Sequence, residues 1–176
     1  MELSPHLEGM VDRMVAKFSK EVAKEKDLAI ILLKGHLLIE YYLNHVILYW
    51  DDKARVDGKS FFEKVNLIES KKIFQDNTTV SLHALNKVRN DLSHKLDFSI
   101  SESEIDRIGF HLGKIYIVEK FKNNPENENY LQRLLMLVLI KLLTKVCLPL
   151  FVKMEEEKSV FKDKNETIDN QALMKE

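Results

Sequence analysis

The sequence predicts an all-α protein, an up-and-down bundle of five to six helices. Three observations carry this. Apolar residues recur three and four apart along most of the chain, the spacing of one helix face. Five glycines and three prolines are few, so long uninterrupted helices are expected. With 176 residues the chain fits one domain with a substantial core.

The first helix is expected over His6–Lys24, where Leu7, Met10, Val11, Met14, Val15 and Phe18 form a stripe. The second, Asp27–Trp50, is apolar on nearly all sides, which suits the centre of a bundle. Asp51 and Asp52 stop it, and "DDKARVDGK" reads as a loop. A short third helix, Ser60–Lys71, turns Phe61, Phe62, Val65 and Ile68 inward. A fourth runs from Thr78 towards His94 with Val80, Leu82, Leu85, Val88 and Leu92 inward. After the extended "KLDFSIS", Ser101 and Glu104 form a capping box that opens a fifth helix reaching Lys122. "NNPENEN" is a turn, and a sixth helix is expected over Glu126–Lys153, kinked at Pro149. Residues 1–154 therefore read as one domain, and 155–176 as a charged, mobile tail.

Composition excludes several classes. One cysteine, Cys147, rules out an internal disulfide framework and any cysteine-cluster metal site. The opening residues carry no charged-then-apolar leader with a small-residue cleavage site, so the expected compartment is the cytoplasm. Leu134–Phe151 is very apolar, but Lys141 and Lys145 interrupt it short of the roughly 18 residues of a membrane span. A buried or interface helix is expected there, with no membrane partner. The formal charge of −1 gives no hint of nucleic acid. Its distribution says more, because Lys53–Lys95 holds nine Lys/Arg against five Asp/Glu, a local surface that could favour phosphates.

A few polar residues do not fit the core pattern. His36, Glu40 and Asn44 are four apart, a polar stripe on the apolar second helix. An ionised glutamate inside a bundle needs a cation or hydrogen-bond donors. The stripe is either exposed, a satisfied network fixing register, or a face turned to a functional arginine or histidine. "RNDLSH", Arg89–His94, offers both residue types. Asn90 and His94 share a helix face, whereas Arg89 and His94 lie about 140° apart, a divergence the long arginine stem can bridge. Arginine forks suit phosphate oxygens, and histidine titrates near neutrality.

"RNDLSH" resembles the R-[N/D/H]-x(3)-H form of the R-x(4–6)-H motif of the HEPN superfamily, the higher eukaryotes and prokaryotes nucleotide-binding domains. Arg89 matches its arginine, Asn90 its polar follower and His94 its histidine. "KGHLLIEYYLNHVI" is similar to the apolar helix of those domains, with Glu40 matching an acidic residue that points at the motif. "FFEKVNLI" and "LHALNKVRN" resemble the connecting helix and the approach to the motif, so the likeness covers residues 27–123.

The resemblance implies a HEPN-like bundle that dimerises and acts as a metal-independent RNA endonuclease, a toxin or antiphage-defence effector. Arg89 and His94 are then catalytic. Asn90 and Glu40 support them, and His36, Asn44 and Ser93 surround them. The implied partners are RNA, a second copy of the chain, and an antitoxin such as a nucleotidyltransferase-like protein. The apolar helices at 27–50 and 130–152 leave surface for a dimer. No cofactor or metal is expected, since the paired Glu-x-x-His motifs of di-iron bundles are missing. Some members of the superfamily are non-catalytic, so a module that binds nucleotide, RNA or a protein partner stays open.

Overall fold

The computed structural model describes residues 5–74, 76–122 and 129–173. Among them the chain is all-helical, with seven α-helices, one 3₁₀ turn and no strand. The helices are α1 (Pro5–Glu21), α2 (Leu28–Trp50), α3 (Phe61–Ser70), α4 (Thr78–His94), α5 (Glu102–Gly109), α6 (Lys114–Lys122) and α7 (Tyr130–Leu173).

Helices α2 and α7 form the central pair. Helix α2 starts where the Asp27 carboxylate accepts the Ile30 N–H at 3.0 Å, satisfying one of the orphan donors of the first turn. At Gly35 the Leu139 side chain of α7 lies against the α2 backbone, since a Cβ there would sit 2.6 Å from Leu139 Cδ1. Along α7, Leu134, Leu135, Val138, Leu139 and Leu142 are wholly buried. Each stabilises the fold by about 2 kcal/mol through area removed from water. Tyr130–Met154 is long and apolar enough to cross a membrane by length and composition, with a mean hydropathy of 2.3. Half of that window is buried inside the molecule, and a core helix passes the same compositional test.

Helix α1 lays Met10, Met14 and Phe18 against α7, but Val15 faces out. Helices α3 and α4 pack on each other and on α2. The full capping box is at the start of α3. There Ser60 Oγ accepts the Glu63 N–H at 3.3 Å, and the Glu63 carboxylate accepts the Ser60 N–H at 2.8 Å. On α4, Val80 is exposed rather than inward. Buried Ser81 lies on the inward face instead, donating to the Ile108 carbonyl at 2.9 Å. Phe62 of α3 is exposed as well, while its neighbour Phe61 is buried.

Three further expectations change. The fifth helix is not continuous. It closes into a 3₁₀ turn at Phe110–Leu112 and reverses at Gly113, whose φ of 84° suits only a residue without a Cβ. That break raises the helix count above the expected five to six. Ser101 caps α5 without a side-chain bond to its backbone, and its hydroxyl donates to the Glu104 carboxylate instead. Helix α7 keeps Pro149 in its interior and continues past Glu155 to Leu173. The start expected at Glu126, and most of the turn before it, lie outside the described residues.

Candidate functional site

The polar stripe of α2 meets α3 and α4 around a cavity of about 490 Å³. Its walls are His36 and Glu40 of α2, Ser60, Phe61 and Phe62 at the start of α3, and Asn86, Arg89 and Asn90 of α4. The arrangement follows from helical spacing. His36 and Glu40 are one turn apart, and so are Asn86 and Asn90, which puts each pair on one face.

His36 is 3% exposed, with its ring centroid 4.2 Å from that of Phe61. Burial, opposed by the nearby Glu40 carboxylate and reinforced by the Arg89 charge, lowers its pKa to about 4. The imidazole is therefore neutral near pH 7. It shares a side-chain hydrogen bond with Asn86, and its Nε2 has no partner.

For Glu40 the sequence left open an exposed position, a satisfied network, or a face turned to an arginine or histidine, the last being what the resemblance implies. The Glu40 Oε1 instead accepts from Lys64 Nζ at 2.6 Å. Lys64 is only 6% exposed, and so close a carboxylate offsets much of the desolvation cost of an ammonium. This leaves Arg89 free of any carboxylate among the described residues. Its Nη1 donates to Asn90 Oδ1 at 3.0 Å, and its Nε is buried without a partner. A guanidinium held with an unused donor on a polar cavity wall can receive an anion.

The other candidates are placed differently. His94 is the last residue of α4 and is exposed, one turn beyond Asn90 and off the cavity wall. Arg89 and His94 thus do not meet on this wall within one copy of the chain. Ser93 donates to the Arg89 carbonyl at 3.0 Å, so its hydroxyl is tied to its own helix. Asn44 does not line the cavity, and its Oδ1 is buried without a partner. Among the described residues no group of three or more His, Cys, Asp or Glu side chains could hold a metal.

Sequence reasoning missed Lys64, Asn86 and the role of Phe61. The signal for Lys64 was its place with Phe61 and Ile68 on the inward face of α3, at spacings of three and four. The signal for Asn86 was its position one turn before Asn90.

No family model matches this chain, and no curated protein or solved structure matches it either.

Proposed function

We propose that this protein is a metal-independent RNA endonuclease of the HEPN type, working as a symmetric dimer. The observation that carries the reading is the unneutralised Arg89, set with Asn90 on the wall of a cavity beside neutral His36. The motif resemblance adds His94 and the HEPN-like bundle, and with them a role as toxin or antiphage-defence effector. A nucleotidyltransferase-like antitoxin belongs to the same reading.

The chemistry needs no cofactor. The RNA 2′-oxygen attacks the adjacent phosphorus, the bond from phosphorus to the 5′-oxygen breaks, and a 2′,3′-cyclic phosphate and a 5′-hydroxyl result. One histidine takes the 2′-OH proton and another gives a proton to the departing 5′-oxygen. Arg89 stabilises the charge that grows on the phosphorane oxygens. Each copy has one motif histidine, so the two proton-transfer roles call for His94 from two copies. A dimer surface beside the site is available on α2. Ile30, Leu33, Leu37, Tyr41 and Leu48 are exposed, Leu37 to 63%, along a stripe that adjoins the His36 and Glu40 face.

A second reading draws on the exposed position of His94, off the cavity wall. In it the cavity only binds a nucleotide, an RNA or a protein partner.

One experiment separates the two. Purified protein is incubated with single-stranded RNA in EDTA, its mass is measured by sedimentation, and the product ends are identified. The endonuclease reading expects a dimer, 2′,3′-cyclic phosphate ends, and loss of cleavage in His94→Ala at an unchanged melting temperature. RNA bound but left intact by the parent, or cut equally by His94→Ala, sinks that reading.

A further inference from the structure

A second cavity, of about 410 Å³, opens on the other side of Phe62. It is lined by Phe62, His83, Asn86, Lys87, Asn90 and Asp91, so the two cavities share Phe62, Asn86 and Asn90 as a common wall. Phe62 is 52% exposed although its place on α3 predicts burial. Its ring leans on His83 with centroids 5.0 Å apart and planes tilted by 53°. His83 Nδ1 is buried without a partner, as is His36 Nε2 on the far side of the shared wall. Each cavity thus combines a partnerless ring nitrogen with the same two side-chain amides and the same exposed aromatic ring.

We infer that Phe62 is a stacking platform for one nucleobase of single-stranded RNA, and that the second cavity receives that base beside the phosphate held by Arg89. This rests on the ribonuclease reading and names the form of its substrate. Aromatic rings stack on any base, while amides and imidazoles satisfy base edges. The other five lining residues are polar, which suits a base edge better than an apolar peptide side chain. A base can reach the recess only when it is out of a duplex, so the substrate is unpaired at this nucleotide.

The test uses fluorescein-labelled RNA octamers of mixed sequence, single-stranded or annealed into a duplex. Binding by anisotropy is measured on the His94→Ala background, and cleavage on the otherwise unchanged chain. Phe62→Ala and Phe62→Leu are expected to bind the single strand roughly tenfold more weakly, while Phe62→Trp binds like the parent. The salt dependence should stay unchanged in all three, because Phe62 carries no charge, whereas Arg89→Ala flattens the log–log slope by about 0.7. A parent that cuts RNA while Phe62→Leu binds and cuts equally well overturns the inference and leaves the ribonuclease reading standing. Duplex bound as tightly as single strand overturns it too. A parent that neither binds nor cuts RNA removes the reading on which it rests.

Discussion

Two polar clusters in this molecule are built from similar residue types and are completed to opposite degrees. Between α5 and α6, Asp106 accepts from the Tyr116 hydroxyl at 2.5 Å and from Lys120 Nζ at 2.7 and 2.6 Å. Lys120 also reaches Glu102 at 2.6 Å. Tyr116 is 1% exposed, and burial together with the bond to Asp106 pushes its hydroxyl pKa up, so the proton stays in place. Around His36 and Arg89 the ionic pair Lys64–Glu40 is closed as well, yet His36 Nε2 and Arg89 Nε are left without partners. Folding selects for satisfied buried groups, since an unused buried donor costs about 1–3 kcal/mol. The first cluster holds the fold together. The second carries a cost that the fold itself does not need.

The strongest way to break this comparison is to remove the unused cation. Arg89→Ala should lower RNA cleavage by about 10²–10³-fold, the loss seen when one charge-stabilising donor is deleted. Its unfolding midpoint in urea should stay at or slightly above the parent's, because Arg89 has no carboxylate partner among the described residues to lose and its removal takes away an unused buried donor. A large stability loss with cleavage intact would reverse the assignment of the two clusters.

Asp106→Ala is the mirror experiment. It strips the partner from the Tyr116 hydroxyl and one of two carboxylates, the one met by both oxygens, from Lys120. The expected cost is about 2–3 kcal/mol in urea denaturation, the scale for breaking charge-assisted hydrogen bonds in a partly buried network. Cleavage per folded molecule should be unchanged. A loss below about 1 kcal/mol would mean the network is solvated rather than structural.

His36 sharpens the contrast through pH. Its folded pKa of about 4 lies below the ordinary histidine value of 6.5, so between those values the unfolded chain binds more protons. Stability therefore rises with pH in that window. The contribution is present above pH 6.5 and is lost as pH falls towards 4. From pH 7 to pH 5 the loss should be roughly 2 kcal/mol. His36→Gln, which cannot titrate, should lose less over the same interval by about that amount. Parallel pH profiles for the two proteins would show that His36 does not carry the effect.

How far the sequence could be read depended on whether the physics was local. Helix α4 was expected over Thr78–His94 and is found there, because its apolar spacing and its flanking polar residues agree. Helix α2 ends at Trp50, before the Asp51–Asp52 stop, and begins just after Asp27, whose carboxylate caps it. The break at Gly113 was hidden, since buried Ile108, Leu112 and Tyr116 keep a spacing of four straight through it. The length of α7 was hidden for a different reason. After Glu155 the apolar face fades, but the Glu, Lys, Gln and Ala residues there are good helix formers. At the site, Arg89 and Asn90 stood out by their types. Lys64 did not, because a lysine among "FFEKVNLI" reads as solvated until α2 brings Glu40 to it.

The smallest predicted effect lies where the two kinds of polar group meet. Ser60 is on the cavity wall, yet its hydroxyl is fully engaged, donating to Glu63 Oε2 at 2.7 Å and accepting the Glu63 N–H at 3.3 Å. If unused hydrogen-bonding capacity marks function here, a satisfied wall residue should behave like Asp106 and not like Arg89. Ser60→Ala should then cost about 1 kcal/mol, the usual loss of a helix N-cap. The shift should appear in urea denaturation with no change in RNA affinity or cleavage. A fall in RNA affinity at unchanged stability would mean the Ser60 hydroxyl leaves Glu63 for the ligand, and position on the wall would then matter more than prior satisfaction.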